Sequence, residues 1–248
     1  MRLPFEYHIL GWPLNIHLIL EYLAFFIGFR YYRYLQRSAV DKISSYHRLV
    51  IILGAIIGAY FGSRFFGYLE NPIVDFANTD LMTLLNTKTI MGGLFGGVIG
   101  VELAKYQIGE QHSSGDLFTL PIILGIFIGR IGCFLSGTHE FTYGTETDIL
   151  FGMNLGDGLM RHPIMLYELC FLIVLFVWLH WRKERLARHQ DGLLFALFML
   201  AYFGFRFLME FLKPNVFFVL GLSSIQWLCV LCWAYYFLTI KRRQYYAR

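Results

Sequence analysis

Charge is what this sequence has least of. Only 15% of its 248 residues are Asp, Glu, Lys or Arg, against about 25% in an ordinary soluble domain. So little charge cannot cover a water-facing surface, which excludes a soluble monomer. The 57% apolar content excludes a disordered chain. A net charge of +4, spread over short segments without a basic stripe, excludes a nucleic-acid binder. The four cysteines, Cys133, Cys170, Cys229 and Cys232, lie in or beside apolar runs, which argues against a disulfide scaffold. Cys229 and Cys232 have CxxC spacing inside an apolar stretch with no second ligand pair, so they read as packing. No Walker loop or nucleophile elbow is present, and no HxxxH or HxxE cluster gathers His112, His139, His162 and Glu140 into a metal site. We therefore expect neither a metal nor a cofactor.

What is present is apolar sequence in lengths of about 20 residues, enough to span a bilayer as helix. These stretches fall near Leu14–Tyr34, Leu49–Leu69, Thr89–Gln107, Leu117–Ser136, Pro163–Leu179, Gly192–Leu212 and Phe217–Ile240. The expected fold is an all-α membrane protein of about seven transmembrane helices, a single polytopic domain over 1–248. The first stretch lacks a basic leader and a small-residue cleavage site, so it reads as a retained span.

Basic residues set the orientation, because cytoplasmic loops carry the Lys/Arg excess. Arg30, Arg33, Arg37, Lys42 and Arg48 follow the first stretch, Arg182, Lys183, Arg185 and Arg188 the fifth, and Lys241, Arg242, Arg243 and Arg248 the seventh. The segments after the second and fourth lean acidic, with Glu70, Asp75 and Asp80, then Glu140, Glu146, Asp148 and Asp157. This pattern predicts an outside N-terminus and a cytoplasmic C-terminus, with 137–162 as an external, substrate-facing loop.

Glycines recur every fourth residue at Gly54, Gly58 and Gly62 and at Gly92, Gly96 and Gly100, while Gly125, Gly129 and Gly132 share roughly one helix face. Small residues at that spacing let helix backbones approach closely in lipid. Gly92 and Gly93 sit at the outer mouth of their span, where backbone could also lie near a bound headgroup.

The remaining charges stand where they are expensive. Glu21, Arg64, Glu102, Arg130, Glu168, Arg206 and Glu210 fall inside spans, each at a cost of roughly 2.5–3.5 kcal/mol at mid-membrane. They need salt-bridge partners, a wet cavity or a ligand. His17 and Glu21 share one helix face, as do Tyr202, Arg206 and Glu210. Arg206 and Glu210 can pair directly, but Arg before Glu is the less favourable order along a helix, which suggests that the guanidinium points elsewhere. Arginines converging in an apolar chamber, with tyrosine and carboxylate nearby, suit the phosphate of a phospholipid headgroup.

Several blocks resemble a known family. Gly129-Arg130-Ile131-Gly132-Cys133-Phe134-Leu135-Ser136-Gly137 is similar to the Gly-Arg-x-Gly-Asn-Phe-x-Asn-Gly signature of bacterial prolipoprotein diacylglyceryl transferases. Met91-Gly92-Gly93-Leu94-Phe95-Gly96 resembles the family's His-Gly-Gly-Leu-x-Gly, and Arg161-His162-Pro163-Ile164-Met165-Leu166-Tyr167-Glu168 its Arg-His-Pro-Ser-Gln-Leu-Tyr-Glu. The segment from Tyr202 to Phe211 resembles its Tyr-Gly-x-x-Arg-x-x-x-Glu-Phe block with a shifted glycine, and Gly62-Ser63-Arg64 its Gly-Gly-Arg. The blocks keep the family's order and cover nearly the whole chain.

The resemblance implies transfer of the diacylglyceryl group of phosphatidylglycerol to the lipobox cysteine thiol of a prolipoprotein, with release of glycerol 1-phosphate. It places the protein in the bacterial cytoplasmic (inner) membrane, with the prolipoprotein signal-peptide region as acceptor. Arg130 and Arg206 correspond to the family's phosphate-handling arginines and Glu210 to the carboxylate that orients the second, with Arg64 a further cation and Tyr202 a headgroup ligand or a brace for Arg206. Gly92, Gly93, Cys133, Ser136, His162 and Tyr167 stand at substrate-binding motif positions. Among the departures from the pattern, the motif histidine, a base candidate, is Met91, the signature asparagines are Cys133 and Ser136, and the motif tyrosine of the first span aligns best with Glu21. Glu21, desolvated in lipid, is the expected replacement base, with His17, His139 and His162 as rivals. Alternatives are a different acceptor, or a phospholipid-binding or lipid-translocating protein without catalysis.

Overall fold

The computed structural model describes residues 3–5, 7–9, 12–38, 43–70, 87–189, 191–215 and 220–246. Among them are seven α-helices: α1 (Ile16–Ser38), α2 (Ser45–Glu70), α3 (Ile90–Ile108), α4 (Asp116–Ser136), α5 (Ile164–His189), α6 (Leu193–Met209) and α7 (Ser224–Tyr246). One-turn 3-10 helices extend α4 (Gly137–His139) and α6 (Glu210–Leu212). Each apolar stretch read from the sequence coincides with one helix. Part of the last stretch, 217–219, lies outside the described residues, as do Lys42, Asp75, Asp80 and Arg248. Among the described residues, four helices are long and apolar enough to cross a membrane, within Ser45–Glu70, Asp116–His139, Ile164–Leu186 and Leu193–Leu212. The chain is a multi-pass, mainly α-helical membrane protein.

α5 runs well past the predicted Leu179, because Trp181, Arg182, Lys183, Glu184 and Arg185 continue it. Lys, Glu and Arg are good helix formers, so the helix outlasts its apolar stretch. Two small hairpins were not expected: β1 (Tyr7–Ile9) pairs antiparallel with β2 (Trp12–Leu14), and β3 (Met153–Asn154) with β4 (Met160–Arg161).

The helices fall into two compact units, one of 1–40, 115–198 and 212–214 and one of 41–114, 199–211 and 215–248. In the first, α4 packs against α1 and α5. Tyr32 of α1 stacks on Phe118 of α4 with centroids 4.3 Å apart. Asp116, in the first turn of α4, accepts the backbone N–H of Gly192 (2.8 Å) and of Phe195 (3.0 Å). Its carboxylate thus satisfies amide donors at the positive end of α6.

The segment 137–162 is ordered by its own contacts. Gly144 donates to the His162 carbonyl and His162 to that of Thr145, at 3.0 and 3.1 Å, while Thr145 donates to the Leu212 carbonyl at 2.7 Å. Leu155, fully buried, packs with Cys133 and Met165 and anchors the loop to the helices. Gly144 leaves no room for a side chain: a Cβ there would lie 2.5 Å from His162 Cβ and 2.7 Å from its carbonyl oxygen.

In the second unit, α2 and α3 meet backbone to backbone. A Cβ on Gly58 would strike the Gly96 carbonyl oxygen and lie 3.0 Å from Gly100 Cα, and one on Gly62 would strike the Gly92 carbonyl oxygen. The fourfold glycine spacing is therefore a helix seam, as small-residue packing in lipid requires. Away from the seam, α2 exposes Leu53, Ile56, Ile57 and Phe61, which suits contact with acyl chains. We expect Gly58→Ala to lower stability by about 1–3 kcal/mol through overpacking. Gly97→Ala should be neutral or stabilising, since the nearest atoms to its Cβ stand at 3.6 Å. Thermal unfolding of the two variants in detergent measures the difference.

Beyond the seam, α3 ends on Gly109 with φ +67°, a left-handed cap that donates to the Lys105 carbonyl. Glu110 follows, with one carboxylate oxygen 2.8 Å from His47 Nδ1 and the other 2.8 Å from His112 Nδ1. Hydrogen bonds with His47 and with the His112 backbone and ring hold its carboxyl down to about 2. This cluster ties the start of α2 to the end of α3.

A candidate phosphate-handling site

Among the described residues, each unit carries a buried arginine paired with carboxylate, Arg130 in the first and Arg206 in the second. In the first, Arg130 lies on α4 with its Nε 2.8 Å from Glu168 Oε1 on α5, the two side chains 7% and 1% exposed. Its Nη1 is 3.8 Å from the thiol sulfur of Cys133, one turn along the same helix. The same sulfur is 3.5 Å from His17 Nε2, on the first turn of α1. His17 Nδ1 is in turn 3.5 Å from Glu140 Oε1, just after the 3-10 turn that ends α4. Gly132 makes this approach possible: a Cβ there would stand 3.2 Å from His17 Cδ2 and 3.3 Å from its Cα. Ser136 closes α4, and Glu21 sits partly buried one turn after His17. His162 and Tyr167 stand at the start of α5, with Nδ1 3.4 Å from the phenol oxygen.

The second cluster is built around Arg206 on α6. Its Nη2 donates to Glu210 Oε1 at 2.9 Å and lies 3.8 Å from Glu70 Oε1 at the end of α2. Glu210 is fully buried; it also accepts a hydrogen bond from Asn215 Nδ2 and one from Ser223 Oγ at 3.5 Å. Ser223 belongs to a capping box at the start of α7, in which its backbone N–H donates to Gln226 Oε1 at 2.9 Å and its Oγ accepts the Gln226 N–H at 3.2 Å. Tyr202, fully buried, sits one turn before Arg206.

The pairing of Arg206 with Glu210 corrects the expectation that helix order would turn the guanidinium elsewhere. That preference amounts to about 0.2–0.5 kcal/mol on an exposed helix. Breaking a buried ion pair costs roughly 3–5 kcal/mol, so burial decides.

Arg64, in the same unit, donates to the Thr87 carbonyl at 3.1 Å, with its guanidinium carbon 5.4 Å from the centroid of the Tyr60 ring. Gly92 is held against α2, where a Cβ would strike the Gly62 carbonyl oxygen and lie 2.7 Å from Phe66 Cβ. Helix packing accounts for that glycine. Gly93 has more room, its nearest neighbour being Ser63 Cβ at 3.6 Å, while Met91 is fully buried. Gly129, grouped by sequence with the packing glycines, has nothing within 4 Å of its Cβ position.

In the sequence Glu168 stands out only as a charge inside a span, with no role attached, and Glu70 reads as one of the loop acids. Asn215 and Ser223 went unnoticed as partners of Glu210. The Ser-x-x-Gln spacing of Ser223 and Gln226 marks a helix start, but nothing in it points to a carboxylate on another segment.

Each cluster offers a fixed guanidinium held by a carboxylate, the arrangement that presents a cation in one geometry to a phosphate. Comparison with known proteins agrees with the motif reading. The family model for prolipoprotein diacylglyceryl transferase matches residues 4–241. A phosphatidylglycerol–prolipoprotein diacylglyceryl transferase of Nitratidesulfovibrio vulgaris (strain DP4) is 34% identical over 210 residues, covering 78% of this chain and 72% of its own. Proteins of the same name from Bordetella bronchiseptica and Nitrosomonas europaea are 35% and 31% identical, covering 72% and 80% of this chain and 70% and 74% of their own. With its ordered motif blocks and a match along almost its entire length, the chain belongs to the prolipoprotein diacylglyceryl transferase family.

Proposed function

We propose that the protein transfers the diacylglyceryl group of phosphatidylglycerol to the cysteine thiol of a prolipoprotein signal-peptide region, with release of glycerol 1-phosphate. The observation that carries this reading is the buried Arg130–Glu168 pair on the signature helix, 2.8 Å apart and beside a sulfur. The reaction is a substitution at a glycerol carbon with a phosphate ester leaving. It needs a cation fixed where negative charge develops and a deprotonated thiol as nucleophile. Arg130 and Arg206 are the cations, and Glu168 and Glu210 hold them in orientation. Support for a phosphate-handling role comes, for each arginine separately, from the match to its own motif block. Arg64 and Tyr202 serve the headgroup secondarily, as do Gly93, Ser136, His162 and Tyr167 at their motif positions.

The membrane arrangement that fits this activity has seven spans in the bacterial cytoplasmic membrane, with the N-terminus outside and the C-terminus inside. Its support is the distribution of Lys and Arg after the first, fifth and seventh helices. The 137–162 loop then faces the side where prolipoproteins emerge.

One observation favours a second reading. The motif histidine is replaced by Met91, fully buried and unable to accept a proton, which would suit a protein that binds phospholipid without transferring it. Glycerol phosphate release from phosphatidylglycerol micelles distinguishes the two. Release that requires a lipobox peptide with a free cysteine, and ceases with the Cys→Ser peptide, supports transfer. Release with neither peptide modified points to another acceptor. Bound lipid with no release supports the binding protein.

A further inference from the structure

The cluster around Cys133 contains two groups that phosphate handling does not use. His17 stands with one ring nitrogen toward a carboxylate and the other toward a sulfur, 3.5 Å from Glu140 Oε1 and 3.5 Å from Cys133 Sγ. A carboxylate beside Nδ1 favours the tautomer with its proton there, leaving the Nε2 lone pair directed at the sulfur. That is the geometry in which an imidazole takes a proton from a thiol. The ring is mostly enclosed, its side chain 13% exposed, whereas Glu140 is 39% exposed. Gly132 provides the space that seats His17 against α4. The Cys133 sulfur is also within 3.8 Å of Arg130 Nη1, so a thiol fits within reach of an imidazole and a phosphate-handling guanidinium together.

We propose that His17, positioned by Glu140, is the proton acceptor for the prolipoprotein thiol, in place of the family histidine that is Met91 here. The proposal rests on the diacylglyceryl-transfer reading. It moves the role from Glu21, favoured by sequence, one turn back along α1 to the residue that meets both a carboxylate and a sulfur. In the step, the S–H proton of the incoming cysteine passes to His17 Nε2. Its sulfur bonds to the glycerol carbon, and the C–O bond of that carbon breaks. The bonding electron pair leaves on the phosphate oxygen of glycerol 1-phosphate, and the imidazolium is held by Glu140 until its proton returns to water. Cys133 is not the nucleophile in this step. A thioether formed on it would hold the diacylglyceryl group, because a thioether sulfur is a poor leaving group.

The test uses the purified full-length protein in phosphatidylglycerol micelles with two lipobox peptides, one carrying cysteine and one carrying selenocysteine. A selenol is already ionised at neutral pH and needs no base. His17→Gln should lower kcat for the cysteine peptide on the order of 10²–10⁴-fold, with KM for phosphatidylglycerol little changed and most of the loss recovered with the selenocysteine peptide. A structural defect would not be rescued by the acceptor's acidity. Glu140→Gln, at a more exposed side chain that tolerates change, should show a smaller loss with the same rescue, and so reads the proposal even if His17→Gln misfolds. Equal kcat for His17→Gln and wild type overturns the proposal. So does selenocysteine rescue of Glu21→Gln but not of His17→Gln, or a stable diacylglyceryl adduct on Cys133. A wild-type protein that modifies neither peptide overturns the function itself, and this proposal with it.

Discussion

Arg130→Ala should reduce transfer by about 10²–10³-fold, the usual effect of removing one preorganised electrostatic stabiliser. It should also destabilise the protein by roughly 3–5 kcal/mol, because Glu168 loses its ion pair inside the fold. Only 1% of the Glu168 side chain is exposed, so water cannot replace the 2.8 Å contact. The two losses can be separated. In Arg130→Met/Glu168→Leu, apolar side chains of similar volume replace both charges, which is often neutral or stabilising for a buried pair. The double variant should therefore unfold near the wild-type temperature and still fail to transfer. Activity in the double variant would mean that Arg130 only holds α4 to α5. Arg130→Lys keeps a charge without the planar fork and should fall between wild type and Ala. Thermal unfolding and glycerol phosphate release, measured on the same preparations, supply both readouts.

The second large effect is expected at Glu210. Its carboxylate is fully buried and holds Arg206 at 2.9 Å while also accepting from Asn215 and Ser223. Glu210→Ala removes the partner that fixes the guanidinium, with an expected loss of roughly 3–5 kcal/mol of stability and most of the turnover. Glu210→Gln retains the volume and one acceptor oxygen but turns an NH2 group toward donors. We expect it to stay folded with turnover reduced and phosphatidylglycerol binding largely retained, as befits a residue that orients Arg206. Lipid binding and turnover measured side by side check this. A Glu210→Gln protein with full turnover would remove Glu210 from the site.

The contrast between these clusters and the rest of the fold explains what the sequence reveals. The helices are legible because a segment that crosses a bilayer must offer about 20 apolar residues to it. The α2–α3 seam is legible because backbone contact demands glycine at fixed intervals. Arg130, Glu168, Arg206 and Glu210 are conspicuous because charge inside a span is costly. Their partners are a different matter. Glu168 meets Arg130 from another helix, Glu140 reaches His17 from a loop, and Asn215 and Ser223 reach Glu210 from segments whose composition is ordinary. No sequence period links such residues. The same holds for β3 and β4, two residues each, too short to show alternation. Even the Arg206–Glu210 pairing, whose shared face is plain from the spacing, owes its favourability to burial, which the spacing does not show.

A transferase moves a diacylglyceryl group, whereas a binding protein merely holds a phospholipid. The direct measurement is the intact mass of a lipobox peptide after incubation with the purified wild-type protein and phosphatidylglycerol, with released glycerol phosphate quantified in the same tube. The expected result is a peptide heavier by one diacylglyceryl group, attached at the cysteine, and one glycerol phosphate for each peptide modified. A folded protein that binds phosphatidylglycerol while the peptide mass stays unchanged and no glycerol phosphate appears would contradict it.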